Sequence, residues 1–322
     1  MANLLNHLFG LLMPNAASKR DAPAPAAPTP PAQIPYAHTA PELCMLPRDL
    51  ILTDVGTDLS PGPHVVQCKA DGIRALYIDG RIVSREGAPL DCALHCQPGL
   101  ARLEEAAGLG PLVFDGEYVA EDGFEATLAE HKKGVGSGVF WIFDVMPLVE
   151  WQSGKCHLAV QDRLRLLRKL VLEHCDSLFV GMLDFWLLDR QGAIAKAREI
   201  WAAGGEGIVI KRINSGYERC RSDAWLRIKQ THTIDAMIVD LMERPDGTLK
   251  RLIVRHDEEQ FVIGTGWTKD EGKRLVRDFK SGVLGSSANS WVEISFQRTT
   301  GAKRSVRGAR FIRRRAAKGA QA

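Results

Sequence analysis

Gln67-Cys68-Lys69-Ala70-Asp71-Gly72-Ile73-Arg74 carries the spacing K-x-D-G-x-R on which the reading of the whole chain turns. Its four fixed residue types would meet by chance in roughly one chain of this length in a few hundred at ordinary usage. On the hexapeptide alone two readings stand open: a lysine nucleophile, or a surface lysine ahead of an Asp-Gly turn. The flanking residues favour extended chain. Residues 64–69 and 75–78 read as strands, and Asp79-Gly80 supplies a tight turn into residues 81–84. Lys69 and Arg74 therefore fall at strand ends beside a loop.

Further out, residues 112–114 form a strand leading into Asp115-Gly116-Glu117, and residues 139–145 gather Val, Phe, Trp and Ile into another. Leu164, Leu167, Leu170 and Val171 recur at helical spacing, and residues 194–203 read as a helix stopped by Gly204-Gly205. Residues 207–211 are the next strand. After Lys229 the strands shorten to 234–241, 249–255, 260–265 and 291–297, with a charged helix around 269–280, a texture that predicts a small β-barrel. Mixed β and α elements without a glycine-rich phosphate loop argue against Rossmann and P-loop folds.

With 322 residues, 45% hydrophobic and 25% charged, the chain has an ordinary globular composition with room for two domains, and no membrane span is expected. Its net charge of +3 hides an asymmetry. Residues 298–322 hold nine Lys or Arg and no acid, so the remainder sums to −6. A basic end on a mildly acidic body suits contact with phosphates, although a run of cations is equally a solvated tail. Seven scattered cysteines without C-x-x-C spacing fit a reduced, cytoplasmic setting. Cys92, His95 and Cys96 lie close together, but no second ligand pair follows at zinc-finger spacing. Leu4, Leu5, Leu8, Phe9, Leu11 and Leu12 are interrupted by Asn6, His7 and Gly10 with no basic residue ahead of them, which argues against a secretory signal. Residues 16–36, rich in Ala and Pro, predict an extended linker. The expected organisation is a disordered tail over 1–40, a first domain over 41–232 and a second over 233–322.

Five further blocks follow Lys69 in order. They are Ser84-Arg85-Glu86-Gly87; Phe114-Asp115-Gly116-Glu117; Phe143-Asp144; Gly205-Glu206-Gly207-Ile208-Val209-Ile210-Lys211; and Trp225-Leu226-Arg227-Ile228-Lys229. In order and spacing the set resembles the nucleotidyltransferase motifs of ATP-dependent DNA ligases, over about residues 60–318. The resemblance implies an α+β architecture, an ATP-grasp-like nucleotidyltransferase domain followed by an OB-fold β-barrel. It also implies a covalent lysyl adenylate on Lys69, with pyrophosphate as leaving group.

That chemistry gives the other residues their implied roles. An amine attacks phosphorus only when neutral, while free lysine titrates near 10.4. Lys69 is therefore expected in a desolvated pocket with Arg74, Arg227 and Lys229 as positive neighbours, which would also hold the triphosphate. Glu206 would bind a metal near the α-phosphate and Glu117 the ribose or a metal. Mg²⁺ suits such spaced single acids, with Mn²⁺ as an alternative. Phe143 resembles the adenine-stacking aromatic, and Gln67 stands at an adenine-edge contact where many relatives carry Glu. Arg85 would contact the nick phosphate. The C-terminal run from Arg307 to Lys318 resembles the terminal ligase motif, with Arg310 and Arg313 directed to DNA and Arg315 and Lys318 to the departing pyrophosphate. Two departures stand out. Ala317 replaces the usual Asp of that motif, and Arg227 stands where Lys is usual.

The function implied is sealing of 5′-phosphate/3′-hydroxyl nicks in duplex DNA, in replication, repair or recombination, by a monomer. Leu5 to Phe9 faintly resembles a sliding-clamp docking peptide. Rival readings are an RNA ligase, an RNA capping guanylyltransferase and a catalytically idle nick-binding clamp. An NAD⁺-dependent ligase is disfavoured because no four-cysteine zinc module is visible.

Overall fold

The computed structural model describes residues 42–50, 59–284, 290–300 and 305–315, with side chains omitted at 298–300 and 305–307. The tail over 1–40, its clamp-like peptide, Ala317 and Lys318 lie outside the described residues. By backbone contacts the chain divides into two units, Met1–Lys229 and Gln230–Ala322. Among the described residues no helix is long and apolar enough to cross a membrane.

The first unit is built on two five-stranded sheets. Its strands and helices begin with β1 (Leu46–Asp49), β2 (His64–Cys68), β3 (Ile73–Ile78), β4 (Arg81–Ser84), α1 (Gln97–Ala107) and β5 (Leu112–Val119). They continue with α2 (Phe124–Lys133), β6 (Val139–Pro147), α3 (Leu148–Gln152), β7 (Lys155–Cys156), α4 (Val160–His174), β8 (Val180–Met182) and β9 (Phe185–Leu188). The unit ends with α5 (Arg190–Ala202), β10 (Gly207–Arg212), β11 (Tyr217–Glu218) and β12 (Arg221–Lys229). One sheet runs β1-β12-β10-β2-β9 and the other β4-β3-β5-β6-β8, while β7 and β11 form a small separate pair.

Two of the expected elements differ in extent, and β1, α1, α2, α3, β7, β8, β9, β11, β12 and three strands of the second unit were not expected from the sequence. The strand starting at Leu112 does not stop at Phe114 but runs to Val119, so Asp115-Gly116-Glu117 is extended chain. Gly116 belongs there because a Cβ would sit 2.4 Å from the Phe140 ring and 2.7 Å from the Trp141 carbonyl. The helix expected from 194 begins at Arg190, since the Asp189 carboxylate accepts from Gly192 N–H at 2.8 Å and caps it early. In α4 the buried positions Val160, Arg163, Leu164, Leu167 and Leu170 form one face. The apolar ones, together with Val65 of the first sheet and Phe114, Phe140 and Ile142 of the second, belong to the largest core among the described residues. The opposite face of the first sheet, with Val66, Ile208, Ile210, Leu226 and Ile228, is covered by Ala193, Ala197 and Ile200 of α5.

The second unit comprises β13 (His232–Glu243), β14 (Leu249–His256), β15 (Glu259–Ile263), α6 (Lys269–Lys280), β16 (Trp291–Phe296), β17 (Arg298–Thr300), β18 (Ser305–Arg307) and β19 (Arg310–Arg314). Five of these strands form an antiparallel sheet in the order β15-β14-β13-β16-β19, with β17 and β18 as a separate hairpin. Among the described residues no ladder joins its two edge strands. A single bond from Phe311 N–H to the Thr265 carbonyl (3.0 Å) links β19 to the chain just past β15. Gly266 allows that approach, since a Cβ would lie 2.2 Å from the Phe311 carbonyl oxygen and its φ is +115°.

Candidate active site

The face of the first sheet away from α5 is set by strand parity. Gln67 on β2 pairs with Val209 on β10, which pairs with Arg227 on β12; one step along the face, Lys211 stands between Val65 and Trp225. Gln67, Val209, Lys211, Trp225 and Arg227 line a cavity of about 160 Å³ together with Arg74, Glu117 and Phe143 of the second sheet. Lys69 lines it too, one residue past the end of β2, where its N–H is tied to the Gly207 carbonyl at 2.9 Å.

The glycines of the motifs are steric requirements. A Cβ on Gly207 would lie 2.0 Å from the Ile228 carbonyl oxygen, and one on Gly72 would lie 2.2 Å from that of Tyr118. Both glycines hold the loop carrying Lys69 and the strand start carrying Glu206 against neighbouring backbone.

Glu206 is shared between two lysines. Its Oε2 accepts from Lys69 Nζ at 2.5 Å and its Oε1 pairs with Lys229 Nζ at 3.2 Å. Burial works to raise its carboxyl, but Lys69 and then Lys229 outweigh burial and hold it below the usual carboxylate range. Lys229 is pushed below its ordinary value by burial, with Glu206 opposing and Lys69 and Arg227 adding to the depression. Glu117 is different. Burial pushes it up from 4.5 to about 7 against the pull of Lys69 and Arg74, and Glu206 adds to the rise. Its Oε1 accepts the Gly72 N–H at 3.2 Å.

The positive surroundings expected of Lys69 are present but individually compensated. Arg74 forms a fork on Asp115 with both contacts at 2.6 Å and also donates to the Met45 carbonyl. Arg227 pairs with Asp49 at 2.5 Å, opposite it in the β1–β12 register. Phe143, 9% exposed, lies under the Arg74 guanidinium at 4.5 Å from the ring centroid. The Gln67 amide is 1% exposed, and neither its oxygen nor its nitrogen has a hydrogen-bond partner among the described residues. Arg85 is half exposed at the cavity, beside Glu86.

The C-terminal candidates sit in the second unit. Arg310 is exposed, Arg313 donates to Glu293 at 2.6 Å, and Arg315 pairs with Asp235 (3.2 Å) and Glu293 (3.1 Å). Sequence reasoning assigned no role to Asp115, Asp144, Lys211, Tyr217 and Trp225. The parity of β12 was the available signal, since Trp225 shares a face with Arg227 and Lys229. A lysine closing the apolar run Ile208-Val209-Ile210 was a second.

The carboxylate arrangement suits Mg²⁺, which takes one or two carboxylates and completes its shell with water and phosphate oxygens. Among the described residues no group of three or more His, Cys, Asp or Glu converges as a metal cage. Because Glu117 is raised in the fold from the ordinary 4.5 to about 7, its neutral form is the one the fold favours. Its stabilising contribution is complete below 4.5 and is lost as pH rises through 7. Glu117→Gln is therefore expected to raise the melting temperature at pH 8, by up to about 3 kcal/mol in stability, and to leave it unchanged at pH 4. Equal shifts at the two pH values would refute this assignment.

No protein-family model matches the chain. Over 198 residues, 58% of its length, it is 28% identical to a protein of Kineococcus radiotolerans described as a probable DNA ligase, 37% of which is covered. A solved structure named Pmar-Lig_PreS3 superposes with a TM-score of 0.73 at 23% identity, over 85% of this chain and 68% of that one. A second, from work described as a structure-function analysis of Lig E DNA ligases that bind DNA with a minimal scaffold, gives 0.64 at 21% identity. There the overlap is 84% of this chain and 98% of that one. Fold and site together define a mixed α/β protein with a cavity lined by Lys69 and Lys211 between the two five-stranded sheets of its first unit. The chain shares its fold with these structures, and it spans well under half the length of the curated relatives it matches.

Proposed function

We propose that the chain is an ATP-dependent DNA ligase that seals nicks through Lys69. The observation that carries this reading is the Lys69–Glu206–Lys229 cluster, whose Lys69 lines a cavity together with Phe143 and Glu117. In the proposed sequence the Lys69 Nζ lone pair attacks the α-phosphorus of ATP, a P–N bond forms, and the bond to the β-phosphate oxygen breaks to release pyrophosphate. A 5′-phosphate oxygen at the nick then displaces Lys69 from phosphorus. The 3′-hydroxyl finally attacks the activated 5′-phosphate and AMP leaves.

Each side chain contributes by position. Glu206 takes the proton-bearing form of Lys69 as an ion pair and, with Glu117, would hold Mg²⁺, which neutralises charge on the departing pyrophosphate. Lys229 and Arg227 face the same phosphates. Phe143 offers an aromatic face to adenine, and the unpartnered Gln67 amide offers an acceptor and a donor to its edge. The first unit serves as the ATP-grasp-like nucleotidyltransferase domain. The second serves as an OB-fold, a reading supported by the Phe311–Thr265 bond that draws its sheet edges together. Arg85, Arg310 and Arg313 would meet phosphates of nicked duplex DNA, with affinity falling steeply as salt rises. Arg315 and Lys318 are assigned to the pyrophosphate. A cytoplasmic monomer completes the reading.

Incubation with α-labelled ATP, GTP or NAD⁺ and Mg²⁺, followed by nicked DNA or nicked RNA, tests it. Label transferred to protein from ATP alone, then sealing of nicked DNA, is expected. An adduct only from GTP, or sealing confined to RNA, overturns it in favour of capping or RNA ligation; no adduct at all leaves only the idle clamp.

A further inference from the structure

Lys211 is buried, at 1% exposure, in a place where lysine is uncommon. Its Nζ donates to the Phe143 carbonyl at 2.9 Å, pairs with Asp144 Oδ2 at 3.5 Å, and sits 4.0 Å from the Trp225 ring and 5.2 Å from the Phe143 ring. The backbone of Phe143 is itself irregular. The β5–β6 register passes from Asp115↔Asp144 to Gly116↔Ile142, which makes Phe143 the extra residue of a β-bulge. A bulge re-aims the side chain it carries and interrupts the ladder around it. Lys211 reaches across from the other sheet to hold that interruption, and it lines the same cavity as the ring.

The geometry points to Lys211 as a positioning residue of the nucleotide site: it pins the bulged Phe143 backbone and so sets the ring against which a base stacks. This rests on reading the cavity as a nucleotide site. The anchor depends on charge, because a neutral amine makes a much weaker bond to the Phe143 carbonyl and loses the ion pair with Asp144 and both ring contacts. The charged groups that act on it come from four elements: Asp144 on β6, in contact, and Arg163 on α4, Asp115 on β5 and Arg74 on β3 through their charge. Its register neighbours Val65 and Trp225 carry no charge. Three cations thus face two carboxylates, and Lys211 is the one that can discharge. Burial pushes it down to about 8, with Asp144 opposing and Arg163 assisting. It is charged below that pH and neutral above it.

The test compares equilibrium binding of ATP with that of inorganic tripolyphosphate, which has no base, from pH 6.5 to 9.5, in the full-length protein without turnover. In the native protein ATP affinity is expected to fall about tenfold more than tripolyphosphate affinity as pH passes 8, the size of one charge-assisted contact. Lys211→Met should show the weakened ATP binding already at pH 7 with tripolyphosphate unchanged, and Lys211→Arg, which stays charged, should restore it and abolish the pH step. Parallel loss of both ligands, or native ATP affinity in Lys211→Met, overturns the proposal. Should Lys211→Met fail to fold, the native pH series and Lys211→Arg decide alone. ATP that binds as expected but never labels Lys69 refutes the ligase reading and leaves this inference standing.

Discussion

Lys69→Ala is expected to abolish covalent labelling from ATP, a loss of about 10,000-fold or more, because no other amine can substitute at the attacking position. Lys229 is the nearest rival, but its Nζ is fixed on the opposite oxygen of Glu206. Removing the Lys69 amine leaves Glu206 still paired through Oε1, so the fold should tolerate the change and the variant should melt close to the native temperature. The informative arm is the last chemical step. A nick that already carries AMP on its 5′-phosphate needs no P–N intermediate, so Lys69→Ala should seal pre-adenylated nicked DNA while failing on an ordinary nick with ATP. Labelled protein detected on a denaturing gel after Lys69→Ala, with intact mass confirmed, would move the nucleophile elsewhere. Failure on both substrates in a well-folded variant would show that Lys69 also organises the site.

Asp144→Ala should be the most damaging single change to stability. Asp144 is 0% exposed and holds Arg163 in a fork at 2.7 and 2.9 Å, with Lys211 at 3.5 Å. Cutting the carboxylate leaves two cations buried without it, a change that typically costs about 3–5 kcal/mol. The acid side supplies the sign. Burial alone would raise Asp144, yet Arg163 and then Lys211 outweigh it and hold the carboxyl below its ordinary 3.8. Its stabilising contribution is therefore complete above 3.8 and fades as pH falls through the lower folded value. Urea unfolding at pH 7 should show the full gap between native protein and Asp144→Ala, and the gap should narrow toward pH 3. A difference below about 1 kcal/mol at pH 7 would mean that water or rearrangement replaces the carboxylate.

The parts of the site legible in the sequence were those fixed by local spacing. Lys69, Glu117, Glu206 and Lys229 stand in short runs on or beside strands, and about half of the strands and helices were placed to within a few residues. What was hidden depends on register between segments far apart. The Arg74 partner is Asp115, 41 residues away, and the Arg227 partner is Asp49, 178 away. No spacing within a motif announces either pairing. The bulge at Phe143 is likewise a property of two strands together. The early start of α5 was readable from Asp189, a capping residue that the apolar spacing from Ile194 overshadowed.

The bond from Met45 N–H to the Tyr217 hydroxyl closes a loop of 172 residues. Nearby, β1 pairs in parallel with β12. During synthesis the first unit can therefore not finish its central sheet until β12 has left the ribosome, and the Arg74–Asp115 pair, which Tyr217 also binds, completes only then. The cavity is a late-forming structure, and a nascent chain stalled before Tyr217 would expose the half-made sheet to chaperones and proteases.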